Sequence, residues 1–251
     1  MAKQVGIFPI QGTLENVSFY KSEEGFMVRK KGGVSKDRIM NDPAYVRTRE
    51  NINQFGLNAK AGKIIRNAIP SLLKKGKDPR VSSRLSKLMG DIAKQDHISA
   101  RGKKAVSVAA ETPEGLALLK GFNFNKRAIL QSVLDAPIDC NVALGVVKIT
   151  SFIPAENLTA PQGATHVGFR SGFASINFGT GLTSTVYSPK VLLLIDLTTT
   201  DINLIPPSVP DTGDGQKRMV VLLVEFYQDV DGVMYPLSNG AFNSLNILDM
   251  A

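Results

Sequence analysis

The chain has 251 residues, 43% of them hydrophobic, with 22 glycines, 13 prolines and one cysteine, a composition typical of a globular protein with many turns. The single thiol excludes an intrachain disulfide and a cysteine-rich metal site. Residues 1–104 carry 22 Lys and Arg against 9 Asp and Glu, a net charge of +13, whereas residues 105–251 carry 8 against 13, a net charge of −5. This division suggests a basic first part that grips an anionic or acidic surface and a second part that forms the packed body.

Three short strands are predicted at the start of the chain, at residues 5–10, 17–21 and 27–31. The last two are separated by residues 22–25, a polar loop that contains glycine and has the length of a hairpin turn. Pro9 lies inside the first strand and therefore favours an edge position for it, because proline has no N–H to donate to a neighbour.

Helical patterns follow the strands. Asp42 before Pro43 predicts the start of a helix that runs to about Phe55 and ends near Gly56. Residues 57–69 repeat apolar side chains at intervals of three and four, which predicts a second amphipathic helix that Pro70 ends or kinks. A third helix is predicted from the apolar side chains that share one face, namely Val81, Leu85, Leu88, Met89 and Ile92.

From about residue 140 the pattern changes to short apolar runs divided by Pro, Gly, Asp and Asn, which favours an antiparallel sandwich or barrel. The predicted strands lie at residues 142–152, 166–178, 185–187, 191–198, 202–205, 219–228, 233–237 and 245–248. The fold class is therefore predicted as α+β. A basic N-terminal β-hairpin and helical part at residues 1–120 precedes an antiparallel β-sandwich at residues 121–251.

Cations cluster on the predicted helices, away from their apolar faces. Because clustered cations release counterions from phosphates, this surface is a candidate nucleic-acid interface. No zinc-finger spacing and no aromatic ribonucleoprotein motif accompanies the charge, so a solvated helical face explains it equally well. The candidate nucleic-acid-binding residues are Lys60, Lys63, Arg66, Lys74, Lys75, Arg80, Arg84 and Lys87.

Two short motifs imitate ligand-binding loops without completing them. Residues 56–63 have five residues between their glycines where a Walker loop has four, and Ile64 stands where Ser or Thr must reach magnesium. Residues 229–232 begin like a calcium loop but lack its downstream ligands, so a hairpin turn at Asp231 and Gly232 is the preferred interpretation. No cofactor and no metal is predicted from either.

Catalytic residues are also scarce. His97 and His166 lie far apart in the chain, and neither is accompanied by a set of metal ligands or by a nucleophile motif. Cys140 is interpreted as a structural thiol. The chain is therefore not predicted to be an enzyme, although a fold can bring distant residues together.

Several stretches form recognisable patterns. Near the N-terminus they are Gly-Thr-Leu-Glu-Asn-Val-Ser-Phe-Tyr at residues 12–20 and Thr-Arg-Glu-Asn at residues 48–51, and near the C-terminus they are Glu-Phe-Tyr-Gln at residues 225–228 and Asn-Gly-Ala-Phe-Asn at residues 239–243. These patterns resemble an uncharacterised protein family of the Bacteroidota. The resemblance extends over nearly the whole chain, which implies that the two parts occur together. It implies no activity, ligand or catalytic residue.

The predicted function is that of a non-enzymatic structural protein that self-assembles into a filament, tube or shell. Opposite charge on the two parts permits head-to-tail contact between copies, and an arm of short strands could exchange between protomers. The alternative is a nucleic-acid-binding protein, and an assembly that packages nucleic acid would combine both. A module that binds carbohydrate or protein ranks third, because the absence of Trp disfavours sugar stacking.

The predicted location is the cytoplasm. The first residues lack the cationic start and apolar core of a signal peptide. The longest apolar runs fall far below the length of roughly 20 residues that a membrane helix needs, so no membrane partner is predicted. The expected partners are further copies of the chain and, in the alternative, nucleic acid.

Overall fold

The structure, a computed structural model, describes residues 2–6, 8–30 and 32–251. It divides into a first unit that ends at Arg49 and a second that begins at Glu50. The sequence predicted a boundary near residue 120 instead. The difference arises because the helices after Glu50 share a hydrophobic core with the large sheet, so the chain has no division near residue 120.

The first unit contains an antiparallel sheet with the strand order β1-β4-β3-β2. Its strands are β1 (Ala2–Lys3), β2 (Gly12–Leu14), β3 (Val17–Ser22) and β4 (Gly25–Lys30), and helix α1 (Lys36–Asn41) follows them. The predicted hairpin is confirmed, since Ser22 pairs with Gly25 across a two-residue turn. Position 31, the end of the last predicted strand, lies outside the described residues.

The strand predicted at residues 5–10 is wrong for its described positions, residues 5, 6 and 8–10, which form no strand. The side-chain amide of Gln4 takes the place of a strand partner there. It donates to the carbonyl of Ile10 at 3.1 Å and accepts the N–H of Ile10 at 3.0 Å. Position 7 lies outside the described residues.

Helix α2 (Val46–Ala68) is continuous through Gly56, so the two helices predicted on either side of this glycine are one. A single glycine costs a helix about 1 kcal/mol relative to alanine, and the turn before Gly56 is tied by Asn53 and Gln54 to the backbone of residues 102 and 104. The side chain of Asp42 caps the short 3₁₀ turn Pro43–Tyr45 by accepting the N–H of Ala44.

Helix α3 (Pro70–Gly76) begins at Pro70, as the helix break predicted at that residue requires. Helix α4 (Val81–Ala93) confirms the third predicted helix and buries Val81, Leu85, Met89 and Ile92. Four short helices complete the set, namely α5 (Val106–Ala109), α6 (Pro113–Ala117), α7 (Leu130–Val133) and α8 (Pro154–Asn157).

The second unit contains two antiparallel sheets. In the larger, β7 (His166–Ile176) pairs with β11 (Lys217–Val230) at the centre; β8 (Thr183–Tyr187) and β9 (Val191–Leu194) flank β7, and β12 (Val233–Pro236) and β13 (Ser244–Met250) flank β11. The smaller sheet has the order β10 (Thr200–Leu204), β6 (Val146–Phe152) and β5 (Asp139–Asn141). All eight predicted strands are present with shifted ends, and β5 is additional.

The two central strands of the large sheet, β7 and β11, are largely buried on both faces. One face packs against the small sheet, where the rings of Phe152 and Phe169 meet edge to face at 5.4 Å, and this confirms the sandwich. The other face packs against the helices through side chains such as Val221 and Leu223. The residues between Met219 and Val224 are therefore all buried, which explains their uninterrupted apolar run. No helix in the described part of the chain is long and apolar enough to cross a membrane.

Candidate functional site

The eight basic residues predicted to bind nucleic acid do not form one uniform surface. Arg84 is half-buried and is engaged inside the fold. Its guanidinium pairs with the carboxylate of Asp78 and donates to the carbonyls of Asn123 at 2.7 Å and Phe124 at 3.0 Å. Burial alone would raise the pKa of Asp78, but the Lys126 amide and the Arg84 guanidinium outweigh it and hold the pKa below its ordinary value. Arg84 is therefore structural.

Lys75 also has an internal partner. Its Nζ lies 3.0 Å from Oε1 and 3.2 Å from Oε2 of Glu225, whose side chain is almost fully buried on the helix-facing side of β11. Removing this cation would leave a buried carboxylate without its ion-pair partner. Lys75 thus fixes the end of α3 to the sheet and does not belong to a free binding surface.

The remaining six cations are distributed over several surfaces. Arg66 is half-buried, and the others are exposed. Lys60 borders a cavity of about 320 Å³ between α2, α5 and residues 178–181, whereas Lys87 borders a different cavity on α4. The five exposed cations are Lys60, Lys63, Lys74, Arg80 and Lys87.

The cavity at Lys87 is an open groove of about 610 Å³ between α2, α4 and the segment 101–104. Four cations line it, namely Lys87, Lys94, Arg101 and Lys104. Asp91 in its wall pairs with Lys94 at 2.6 Å, and Glu50 pairs with Arg101 at 3.2 Å, so the charged groups sum to +2. The exposed ring of Phe55 borders the same groove. We name this cavity the α2–α4 groove.

Side chains of α2 fix one wall of the α2–α4 groove. Asn53 Nδ2 donates to the carbonyl of Gly102 at 2.6 Å. Gln54 donates to the carbonyl of Lys104 at 2.8 Å and accepts its N–H at 3.0 Å. Gly102 has a φ of +78°, and a Cβ there would lie 2.8 Å from Cα of Glu50, so only glycine fits this close approach.

Asp96 holds the same wall from the other side. Its buried carboxylate accepts the N–H groups of Ile98 at 3.0 Å, Ser99 at 2.9 Å and Ala105 at 2.8 Å. Burial would raise the pKa of Asp96, but these hydrogen bonds favour the charged form more strongly and lower the pKa well below its ordinary value. The segment between Asp96 and Ala105 is therefore anchored at both ends.

Sequence analysis missed the Asp96 anchor and the α2–α4 groove. Gln54, Asp96 and Lys104 are far apart in the sequence and form no motif. Lys87 is the one residue of the eight predicted cations that lines this groove.

A second polar cluster, which was not predicted from the sequence, surrounds the buried carboxylate of Glu225 on β11. Nζ of Lys190 lies 3.8 Å from the ring centroid of Tyr227, and the Arg170 guanidinium lies 5.2 Å from that of Tyr187. Burial lowers the pKa of Lys190, although Glu225 opposes this shift. Burial and the carboxylate of Glu225 raise the pKa of the Tyr227 phenol. Glu225 offsets one of the three cations near it, Lys75, Lys190 and Arg170, so these four charged groups sum to +2.

The motifs that the sequence rejected lie where a structural interpretation places them. Residues 56–63 are within α2. Asp231 and Gly232 both have positive φ, 53° and 81°, and form the two-residue turn between β11 and β12, as predicted.

The remaining chemically reactive side chains are dispersed. His97 is exposed after α4, His166 begins β7, and burial raises the pKa of the Cys140 thiol to about 11, which disfavours the reactive thiolate. Among the described residues, no group of three or more His, Cys, Asp or Glu side chains is placed to hold a metal ion.

The first unit has an unusual surface. Within its described residues, Met27 is the one buried hydrophobic side chain. The exposed fraction is 95% for Val5, 85% for Phe8, 57% for Ile10 and 69% for Leu14. We name these four residues the N-terminal apolar patch.

Comparisons of the chain with protein-family models, characterised proteins and solved structures find no significant match. The resemblance to a Bacteroidota family therefore stays a prediction.

Proposed function

We propose that the protein is a non-enzymatic structural protein that assembles with further copies of itself into a filament, tube or shell. The N-terminal apolar patch is the observation that carries this proposal. A four-stranded sheet that buries one hydrophobic side chain lacks the core that an independently stable sheet needs. Its apolar side chains therefore require cover from another surface.

The size of this requirement follows from the exposed side chains. Covering Val5, Phe8, Ile10 and Leu14 would each contribute about 1–2 kcal/mol, or about 4–8 kcal/mol together. Association costs about 4–15 kcal/mol, so the patch alone is marginal and backbone pairing must add to it. Strands β1 and β2 supply that possibility, because they form the two edges of the first sheet.

A second copy of the chain is the occupant that fits best. Residues 1–49 carry nine Lys and Arg against five Asp and Glu, a net charge of +4. Within the second unit, residues 50–104 carry +9 and residues 105–251, which form its sheets, carry −5, so the charge complement of the first unit lies on the sheet-forming part. The sandwich also presents apolar edge strands. Leu192 and Leu194 are exposed on β9, and Val233 and Tyr235 are exposed on β12. Strand addition at such an edge, with opposite charges on the two partners, gives a head-to-tail contact that repeats into a polymer.

The test replaces two residues of the N-terminal apolar patch, Phe8→Ser with Leu14→Ser, and measures the mass distribution by light scattering and negative-stain microscopy. The wild-type chain is expected to form large regular particles free of nucleic acid after nuclease treatment. The double variant is expected to shift towards the 27.1 kDa monomer. The matched control is Ile98→Ser, which changes an equally exposed apolar side chain of the second unit and should leave the particle mass unchanged.

Two results would reject self-assembly through this patch. One is a wild-type chain that is monomeric at high micromolar concentration. The other is an unchanged particle mass in the double variant. A second variant, Leu192→Lys with Leu194→Lys, tests the receiving edge separately. Burying a cation against the N-terminal apolar patch costs free energy, and the same cation repels the basic first unit.

Nucleic-acid binding is the second candidate function, and the exposed cations of the helices together with the cationic α2–α4 groove favour it. It is compatible with assembly if the particles package nucleic acid. Replacing Lys60, Lys63 and Arg66 by Ala should reduce the salt dependence of binding by up to about 3 in logarithmic slope. An unchanged slope would remove these three residues from the phosphate contacts.

A further inference from the structure

We infer that the α2–α4 groove binds single-stranded nucleic acid, with a base stacked on Phe55 and backbone phosphates held by Lys87 and Lys104. This inference rests on the second candidate function and specifies its site and substrate class. It does not depend on self-assembly. It also replaces most of the cations predicted from the sequence by a smaller set that lines one groove.

Phe55 presents an exposed aromatic ring at the α2–α4 groove. It is 67% exposed on α2, where Val46 at 45% and Ile52 at 54% are exposed as well, but of these three residues only Phe55 lines the groove. A flat aromatic ring at the wall of a cationic groove is the arrangement by which proteins stack an unpaired base. Because the bases of a duplex are already stacked on one another, this ring selects a single strand.

The α2–α4 groove carries positive charge that is not neutralised. In the described part of the chain, neither Lys87 nor Lys104 has a carboxylate within ion-pair distance. Nζ of Lys104 lies 3.4 Å from the carbonyl of Lys94, so its charge is held at the groove without being neutralised. Arg101 pairs with Glu50 and Lys94 pairs with Asp91, so these two cations add only a weaker positive field. The groove therefore favours an anion, and two unneutralised cations can hold successive phosphates.

The α2–α4 groove also has polar side chains in its lining. Ser83, Ser86 and Asn51 border the groove and provide hydroxyl and amide groups that can donate to phosphate oxygens or base edges. A volume of about 610 Å³ lies within the usual range of ligand sites, about 300–1,000 Å³.

Hydrogen bonds hold the wall of the α2–α4 groove in place. Asn53, Gln54 and Asp96 fix the backbone of the wall that carries Arg101 and Lys104. A groove whose walls are already ordered loses little conformational entropy when a ligand binds. The geometry thus separates the supporting residues from the contacting residues, which allows the contacts to be changed without loss of the fold.

The test uses the full chain and a fluorescein-labelled oligothymidine strand, with fluorescence anisotropy measured over a salt series. Phe55→Ser is expected to weaken binding about 5- to 150-fold with little change in salt slope, and Phe55→Tyr should restore it. Lys87→Gln with Lys104→Gln should lower the logarithmic salt slope by about 1.4, since single strands give about 0.7 per phosphate contact. The matched control, Lys60→Gln with Lys63→Gln, alters two cations outside the groove and should leave the effect of Phe55→Ser intact.

The outcomes separate the groove from the broader function. If the wild-type chain binds oligothymidine but Phe55→Ser binds equally well, the groove assignment is overturned and the second candidate function stands. If the wild-type chain binds neither oligothymidine nor a hairpin duplex, both fail. If it binds the duplex as tightly as the single strand, the stacking role of Phe55 is rejected. Circular dichroism of each variant excludes misfolding, which would otherwise imitate a loss of binding.

Discussion

Asp96 provides a sensitive test of how the wall of the α2–α4 groove is held. Its carboxylate accepts three backbone N–H groups, two through Oδ1 and that of Ala105 through Oδ2. Asp96→Asn keeps Oδ1 but replaces Oδ2 by an NH₂ group that faces the N–H of Ala105. Two donors then oppose each other, and one charge-assisted hydrogen bond is lost.

The magnitude follows from the number of hydrogen bonds affected. A hydrogen bond to a charged group contributes about 1.5–3 kcal/mol, so Asp96→Asn should lower the free energy of unfolding by about 2–3 kcal/mol. Asp96→Ala removes all three acceptor contacts. Its cost should be about 3–5 kcal/mol and not the full sum, because water can solvate the released N–H groups of the exposed residue Ile98 and its neighbour Ser99. Either loss is large against a typical stability of about 5–15 kcal/mol.

The assay is urea unfolding followed by circular dichroism, repeated between neutral and acid pH. Because the folded pKa of Asp96 lies below its ordinary value of 3.8, the stabilisation is present above the unfolded pKa and is lost as the pH falls through the folded one. The stability difference between the wild-type chain and Asp96→Asn should therefore shrink below about pH 4. The control is Asp91→Asn, since Asp91 is an exposed carboxylate paired with Lys94 and should contribute less than about 1 kcal/mol. Equal effects of the two changes, or a difference that does not vary with pH, would refute this account of the Asp96 anchor.

Two further predictions concern the contact between α3 and the large sheet. Lys75→Met should lower the free energy of unfolding by about 1–2 kcal/mol, which is less than at a fully buried ion pair because the Lys75 side chain is 43% exposed. Adding Glu225→Gln should recover part of this loss, because it removes the carboxylate left without its partner; strictly additive effects in a double-mutant cycle would exclude the coupling. Gly76→Ala should cost about 1–3 kcal/mol, because its Cβ would lie 2.7 Å from Cβ of Leu245 and 2.9 Å from Cδ1 of Leu223. The matched change Gly56→Ala meets nothing within 4 Å and should instead stabilise α2 by up to about 1 kcal/mol. A calorimetric ranking with Gly76→Ala as stable as Gly56→Ala would contradict the close packing of α3 on the sheet.

The elements that the sequence predicted correctly are those whose information is local. The hairpin of β3 and β4, helix α4 and eight of the nine strands in the two sheets of the second unit were visible in hydrophobic periodicity and turn residues. The Asp231–Gly232 turn was visible for the same reason, since two positive φ angles between paired strands favour Asp-Gly. The α+β class with a sandwich followed from these elements alone.

Competition between contacts explains where the predictions were wrong. Gly56 did not end α2, because its propensity cost is only about 1 kcal/mol and Asn53 and Gln54 tie the preceding turn to the backbone of residues 102 and 104. Residues 5–10 have the composition of a strand, yet the Gln4 side chain occupies the backbone groups of Ile10. Neither outcome is encoded in a short window of sequence.

The amino-acid sequence alone establishes the unequal division of charge, the type of most helices and strands, and the scarcity of catalytic motifs. Only the tertiary structure decided which cations are available: it engaged Arg84 and Lys75 in internal ion pairs and placed Lys87 and Lys104 beside Phe55. The physical reason is that a cation's role depends on which carboxylates, carbonyls and rings the fold brings within a few ångströms. Those neighbours are set by packing over more than a hundred residues of chain, as between Lys75 and Glu225.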